Sequence, residues 1–96
     1  MKDEIRDKIY SILNELKWNF KDGHGVDGFY TINANPVPHI MWFITIGDNY
    51  IRINSFKINT NSYQTTMNTV LTYIEQSVFD YKFFKSIFIN YKMFIK

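Results

Sequence analysis

Apolar residues recur at helical spacing near the N-terminus of the chain. Ile5, Ile9 and Ile12 follow one another at about one helical turn, and the positions between them are mostly charged or polar. Acidic residues open this segment and Lys17 closes it, which suits the dipole of a helix. The pattern therefore predicts an amphipathic helix over 3–17.

The middle of the chain changes to the alternation that is typical of β-strands. Strands are predicted over 18–22, 29–33, 39–46 and 50–58. The run 39–46 is apolar at nearly every position, which predicts a central strand buried on both faces. Residues 35–38 contain two prolines and should interrupt the ladder, and a bulge is expected near Asn54. If the strand over 50–58 lies at a sheet edge, a partner strand or a second copy can pair with it.

Two further segments follow the strands. Met67, Val70 and Ile74 return to helical spacing, which predicts a second helix over 63–77. Residues 81–96 fit two structures. Their length without a turn residue favours a helix capped by Asp80, whereas the alternation of apolar residues from 87 to 95 favours an edge strand.

The element order predicts a single α+β domain over residues 1–96. It comprises an N-terminal helix, a three- to four-stranded antiparallel meander, a second helix, and a C-terminal helix or edge strand. The core is predicted to centre on the apolar strands and to be covered by the helical stripes. Its central residues are expected to be Trp42, Phe43, Ile44, Ile46, Ile51 and Ile53.

Composition limits the chemistry of the chain. It has no cysteine, which excludes disulfides and thiolate sites, and no apolar run approaches the roughly 18 residues of a membrane span. The charged N-terminus is unlike a signal peptide, so a cytoplasmic location is expected. His24 and His39 lack the spacing of a metal site, and the carboxylates fall at helix surfaces, helix starts and turns. The sequence therefore predicts no enzyme, cofactor or metal.

Charge is distributed unevenly along the chain. Residues 81–96 hold four lysines, six aromatic residues and no acid, whereas the preceding residues hold seven Lys or Arg against nine Asp or Glu. Four interpretations remain open: packing on the sheet, a protein interface with exposed Ile89 and Met93, nucleic-acid binding by the lysines and aromatic rings, or an interfacial membrane helix. The candidate partner-binding residues are Lys82, Lys85, Ile89, Lys92, Met93 and Lys96.

The order helix, three-stranded meander, helix over 3–77 is similar to that of type III secretion chaperones. That resemblance implies a dimeric protein-binding module. The leading hypothesis is accordingly a non-catalytic protein-binding module that acts on a host macromolecular complex or forms a homodimer. The many Ile, Asn and Lys residues reflect AT-rich coding and suggest a phage or mobile-element inhibitor. The alternative is a nucleic-acid-binding domain that uses the basic aromatic C-terminal segment.

Overall fold

A computed structural model describes residues 2–23, 28–58, 65–75 and 80–94. Within these ranges the chain forms two α-helices, five strands and a short 3-10 helix. In chain order these are α1 (Lys2–Glu15), β1 (Asn19–Asp22), β2 (Tyr30–Val37), β3 (Ile40–Ile46), β4 (Tyr50–Ile58), β5 (Thr65–Glu75), α2 (Tyr81–Ile89) and the 3-10 helix Tyr91–Phe94.

The strands form one antiparallel sheet in the order β1-β2-β3-β4-β5. Each strand therefore pairs with the next one in sequence. The α+β class and the antiparallel meander are confirmed. The core contains alternate residues of β2, β3 and β4 together with side chains from both helices. Because alternate residues of a strand share one face, α1 and α2 cover the same face of the sheet.

Strand β3 runs through the centre of this core. Trp42 and Ile44 are fully buried, and Ile32 and Ile53 flank Ile44 in the neighbouring strands. The expectation that β3 is buried on both faces is wrong, because burial alternates along the strand and Phe43 is only half-buried. A run of apolar residues did not distinguish a covered face from an open one.

The prediction of a second helix over 63–77 is wrong, because residues 65–75 form strand β5. A register shift in its pairing with β4 accounts for the three-residue interval between Leu71 and Ile74, which fits a helix. Ile51 pairs with Ile74 and Ile53 pairs with Leu71, so three steps along β5 match two steps along β4. Extra residues of this kind are β-bulges. The ends of the predicted helix, 63–64 and 76–77, lie outside the described residues.

Strand β5 also changes the position of β4 in the sheet. Because β4 pairs with β3 on one side and β5 on the other, it is not the sheet edge considered from the sequence. The irregularity expected near Asn54 is present as a register shift between Ile53 and Asn54. The resemblance to type III secretion chaperones loses its basis, since it required a helix after the meander.

The prolines at 36 and 38 interrupt the ladder less than expected. Strand β2 continues through Pro36 to Val37, and the disturbance is confined to a register shift between Ala34 and Val37. Proline lacks the N–H that a regular ladder requires, so it occurs at such irregular positions.

Helix α1 ends in a left-handed residue that is not glycine. Lys17 has φ of 59°, and the Trp18 N–H donates to the Leu13 carbonyl at 3.0 Å. This backbone hydrogen bond closes the helix end in the manner of a Schellman motif, whose left-handed position usually holds glycine. The turn directs Trp18 back towards the core.

Candidate functional site

The C-terminal segment forms a helix, as one of the two sequence predictions had it. Asp80 is the N-cap, and its carboxylate accepts hydrogen bonds from the backbone N–H groups of Lys82 (2.8 Å) and Phe83 (3.2 Å). Helix α2 then ends at Ile89, and the 3-10 helix follows after Asn90. The position of each side chain in this segment follows from this helical geometry.

An aromatic cluster fixes the inner face of α2 to the sheet. Phe84 and Phe88 have no solvent exposure. The Phe88 ring lies 5.2 Å from the Trp42 ring and 5.4 Å from the Trp18 ring, and Trp18 also contacts Tyr91 at 5.7 Å. Burial of these rings is the main attachment of α2, since apolar area removed from water is the dominant favourable term.

An ionic contact between the two helices adds to this attachment. Glu15 at the end of α1 accepts the Lys85 ammonium at 2.5 Å and the Tyr81 hydroxyl at 3.1 Å. The hydrogen bond from Lys85, followed by that from Tyr81, lowers the pKa of Glu15. The same contact with Glu15 raises the pKa of Lys85. Lys85 is thus directed towards the protein's own acid.

The outer face of α2 and the 3-10 helix is apolar at its centre. The exposed fraction is 49% for Phe83, 54% for Ile89 and 75% for Met93, and the flanking Lys82 and Lys92 are also exposed. We call these five residues the C-terminal surface. Large apolar side chains this exposed within one short segment are typical of interaction sites.

The structure brings together most of the candidate residues named from the sequence. Lys82, Ile89, Lys92 and Met93 all lie on the C-terminal surface. Lys85 is half-buried and ion-paired, so it belongs to the attachment of α2, and Lys96 lies outside the described residues. Phe83 was missed as a surface residue, although the helical spacing of Phe84, Phe88 and Tyr91 placed Phe84 on the packed face and left Phe83 off it.

A second partly apolar area lies on the sheet face opposite the helices. Met41 and Phe43 of β3 and Phe56 of β4 are half-buried there, and Met41 lies directly opposite Phe56 in the ladder. Beside them is a shallow depression of about 280 Å³. Its lining consists of Asn19, Phe20, Lys21, Asn33 and Asn35. Sequence reasoning missed this face because it assigned β3 to a fully covered position.

A polar cluster joins α1 to the first two strands. The Tyr10 hydroxyl donates to Asp22 and the Tyr30 hydroxyl donates to Asp3. The Arg6 guanidinium lies 4.6 Å from the centroid of the Tyr30 ring. Burial, together with the bond to Asp22, raises the pKa of Tyr10 to about 12. Every polar group in this cluster has a partner within it. The cluster therefore stabilises the packing of α1 against β1 and β2.

The residues considered for metal binding or catalysis do not form a site in the part of the chain that the structure describes. Asp22 is bonded to Tyr10, His39 is exposed, and His24 and Asp27 lie outside the described residues. Among the described residues no group of three or more His, Cys, Asp or Glu side chains is placed to hold a metal ion. No helix within the described ranges is long and apolar enough to cross a membrane.

Comparison with known proteins identifies no similar protein. No protein-family model, no curated protein and no solved structure matches the chain.

Proposed function

We propose that the protein is a non-catalytic protein-binding module and that the C-terminal surface is its binding site. The observation that carries this proposal is the exposure of Phe83 and Ile89 on α2 and of Met93 on the 3-10 helix, while Phe84 and Phe88 on the inner face of α2 are fully buried. Aromatic residues and methionine are enriched at the centres of protein interfaces. In this proposal the protein acts by covering a surface of a larger partner.

The exposed apolar area sets the strength of such a contact. Complete burial of a large apolar side chain contributes roughly 1.5–3 kcal/mol, and about half of Phe83 and Ile89 and three quarters of Met93 is still exposed. Their burial by a partner therefore contributes about 3–5 kcal/mol before the cost of association. This is the centre of an interface rather than a whole one, because a standard interface covers about 800 Å² on each partner.

Site-specific photo-crosslinking tests the proposal. A benzophenone amino acid is placed at Met93, which is 75% exposed, and in a second variant at Ser11 on the exposed side of α1. Both are expressed in cells that naturally carry the gene and are then irradiated. We expect a discrete protein adduct from position 93 that position 11 does not give.

A matched variant makes the result specific. Ile89→Asp retains the buried face of α2 and places a charge at the centre of the C-terminal surface, so it should abolish the adduct while the thermal midpoint stays near that of the parent. Absence of any protein adduct at position 93, or an adduct with nucleic acid instead, would refute the proposed function.

A further inference from the structure

We infer that the partner presents an acidic surface to the C-terminal surface, with its negative groups on both sides of an apolar centre. This inference rests on the proposed function and adds the chemical class of the partner. It follows from the charges that surround the apolar residues, from their spacing, and from what a second copy of the chain would bring to the same place.

The charge of the C-terminal surface is unbalanced. Lys82 and Lys92 are exposed and form no ion pair with any residue that the structure describes. The nearest acid in sequence, Asp80, is bonded to the N-terminal N–H groups of α2. Glu15 is already paired with Lys85. A partner that covers the apolar centre therefore meets two cations that lack an internal counter-charge.

A second copy of the chain is a poor occupant of this site. Residues 81–96 contain no acid. If two copies placed their C-terminal surfaces together about a twofold axis, each surface would oppose its lysines to those of the other. Like charges at a shared interface cost free energy and suppress association. The same charges favour a partner of opposite sign.

The spacing of Lys82 and Lys92 indicates how far apart the negative groups of the partner should lie. Lys82 lies in the first turn of α2 and Lys92 lies in the 3-10 helix, ten residues later, which limits the separation of their backbones to roughly 15–20 Å at 1.5–2.0 Å per residue. Phe83 and Ile89 lie between the two lysines along the chain, and Met93 directly follows Lys92. An acidic amphipathic helix with carboxylates about three turns apart and apolar residues between them matches this arrangement.

The binding test uses synthetic peptides. One is an acidic amphipathic peptide of about six helical turns, with glutamates about 15 Å apart on either side of a leucine stripe. A matched basic peptide replaces each glutamate with lysine, and a third peptide replaces each leucine with serine. Binding is followed through the fluorescence of Trp18 and Trp42, because Trp18 contacts Phe88 and Tyr91 at the base of α2.

Charge-reversal variants distinguish the contribution of the C-terminal surface to peptide binding from that of the protein's net charge. K82E/K92E should weaken binding of the acidic peptide by about tenfold or more at low salt, since it replaces two attractive contacts with repulsive ones. The matched control, K21E/K57E, changes net charge equally at two exposed lysines outside the C-terminal surface and should weaken binding less than about threefold by long-range effects alone. K85Q should also have a small effect on binding, because Lys85 is paired with Glu15.

Three results would overturn the inference. The first is failure of the acidic peptide to bind at about millimolar concentration in low salt, where electrostatic contacts are strongest. The second is equal weakening by the two double variants. The third is tighter binding of a single-stranded oligonucleotide or of anionic lipid vesicles than of the acidic peptide. A protein adduct at Met93 combined with any of the first two results would leave the proposed function standing and remove only the acidic partner.

Discussion

Replacement of Phe88 by alanine tests whether α2 is held by its buried ring. Phe88 has no solvent exposure and contacts the rings of Trp18 and Trp42. Removal of roughly 150 Å² of buried apolar area at about 25 cal/mol per Å² corresponds to about 4 kcal/mol. That figure lies within the range of about 3–5 kcal/mol typical of buried Phe→Ala substitutions.

The effect is large relative to the stability of the whole domain. A domain of this size is expected to unfold with about 5–15 kcal/mol. A loss of about 4 kcal/mol should lower the thermal midpoint by roughly 15–30 °C at about 4–8 °C per kcal/mol. Urea unfolding followed by circular dichroism measures the free energy, and the emission of the two tryptophans reports separately on the attachment of α2.

Phe83→Ala is the matched control, since it changes the same residue type in the same helix at a position that is 49% exposed. We expect it to cost about 1 kcal/mol or less. If the sheet stays folded in Phe88→Ala while tryptophan emission shifts to longer wavelength, α2 has detached locally, and the reasoning still holds. Equal losses in the two variants, or a loss below about 0.5 kcal/mol in Phe88→Ala with unchanged emission, would refute it.

Three other predictions follow from single contacts. Lys17→Gly should raise the free energy of unfolding by about 0.5–1 kcal/mol, because glycine adopts the observed φ of 59° without strain. A lower free energy of unfolding for this variant, measured by urea denaturation, would contradict the prediction. Asp80→Ala should lower the free energy of unfolding by about 1 kcal/mol through loss of the N-cap. Asp80→Asn should retain most of the stability of the parent, because asparagine is also a good N-cap. Glu15 has a lowered pKa when folded, so its stabilising contribution is present above its unfolded value and is lost as pH falls through the folded pKa. The difference in thermal midpoint between the parent and Glu15→Gln should therefore shrink as the solution is acidified from neutral pH, and a constant difference would contradict the assignment.

Local patterns predicted those elements whose spacing has one interpretation. Ile5, Ile9 and Ile12 can form a stripe only on a helix, and they are buried in α1. Asp80 was identified as a cap because its type and position suit one. In both cases the information lies within a few residues of sequence.

The errors arose where distant pairing decides the structure. Leu71 and Ile74 are three residues apart, which fits a helix, yet bulges allow the same spacing to pair with Ile53 and Ile51 across a ladder. Only the tertiary partner distinguishes the two. Phe43 was placed in the core for a similar reason, because an apolar strand does not reveal that the described helices cover only one face of the sheet.

The C-terminal surface was predicted in part. Ile89 and Met93 were identified because they interrupt the polar side of a helix, and both are exposed. The lysines were treated as equivalent in the sequence, yet Lys85 pairs with Glu15, a residue 70 positions away in the chain. Contacts over such separations depend on the assembled fold, so no local pattern predicts which lysine remains at the surface.

The agreement between strand order and chain order has a consequence for how the protein folds. Each hairpin of the sheet forms between neighbouring segments, so little chain entropy is lost before the first contacts are made. The contact between Glu15 and Lys85 instead joins α1 and α2, which pack on the same face of the sheet, so it requires the sheet to form first. We therefore expect rapid formation of the meander followed by late docking of α2, with Phe88→Ala accelerating unfolding more than it slows folding.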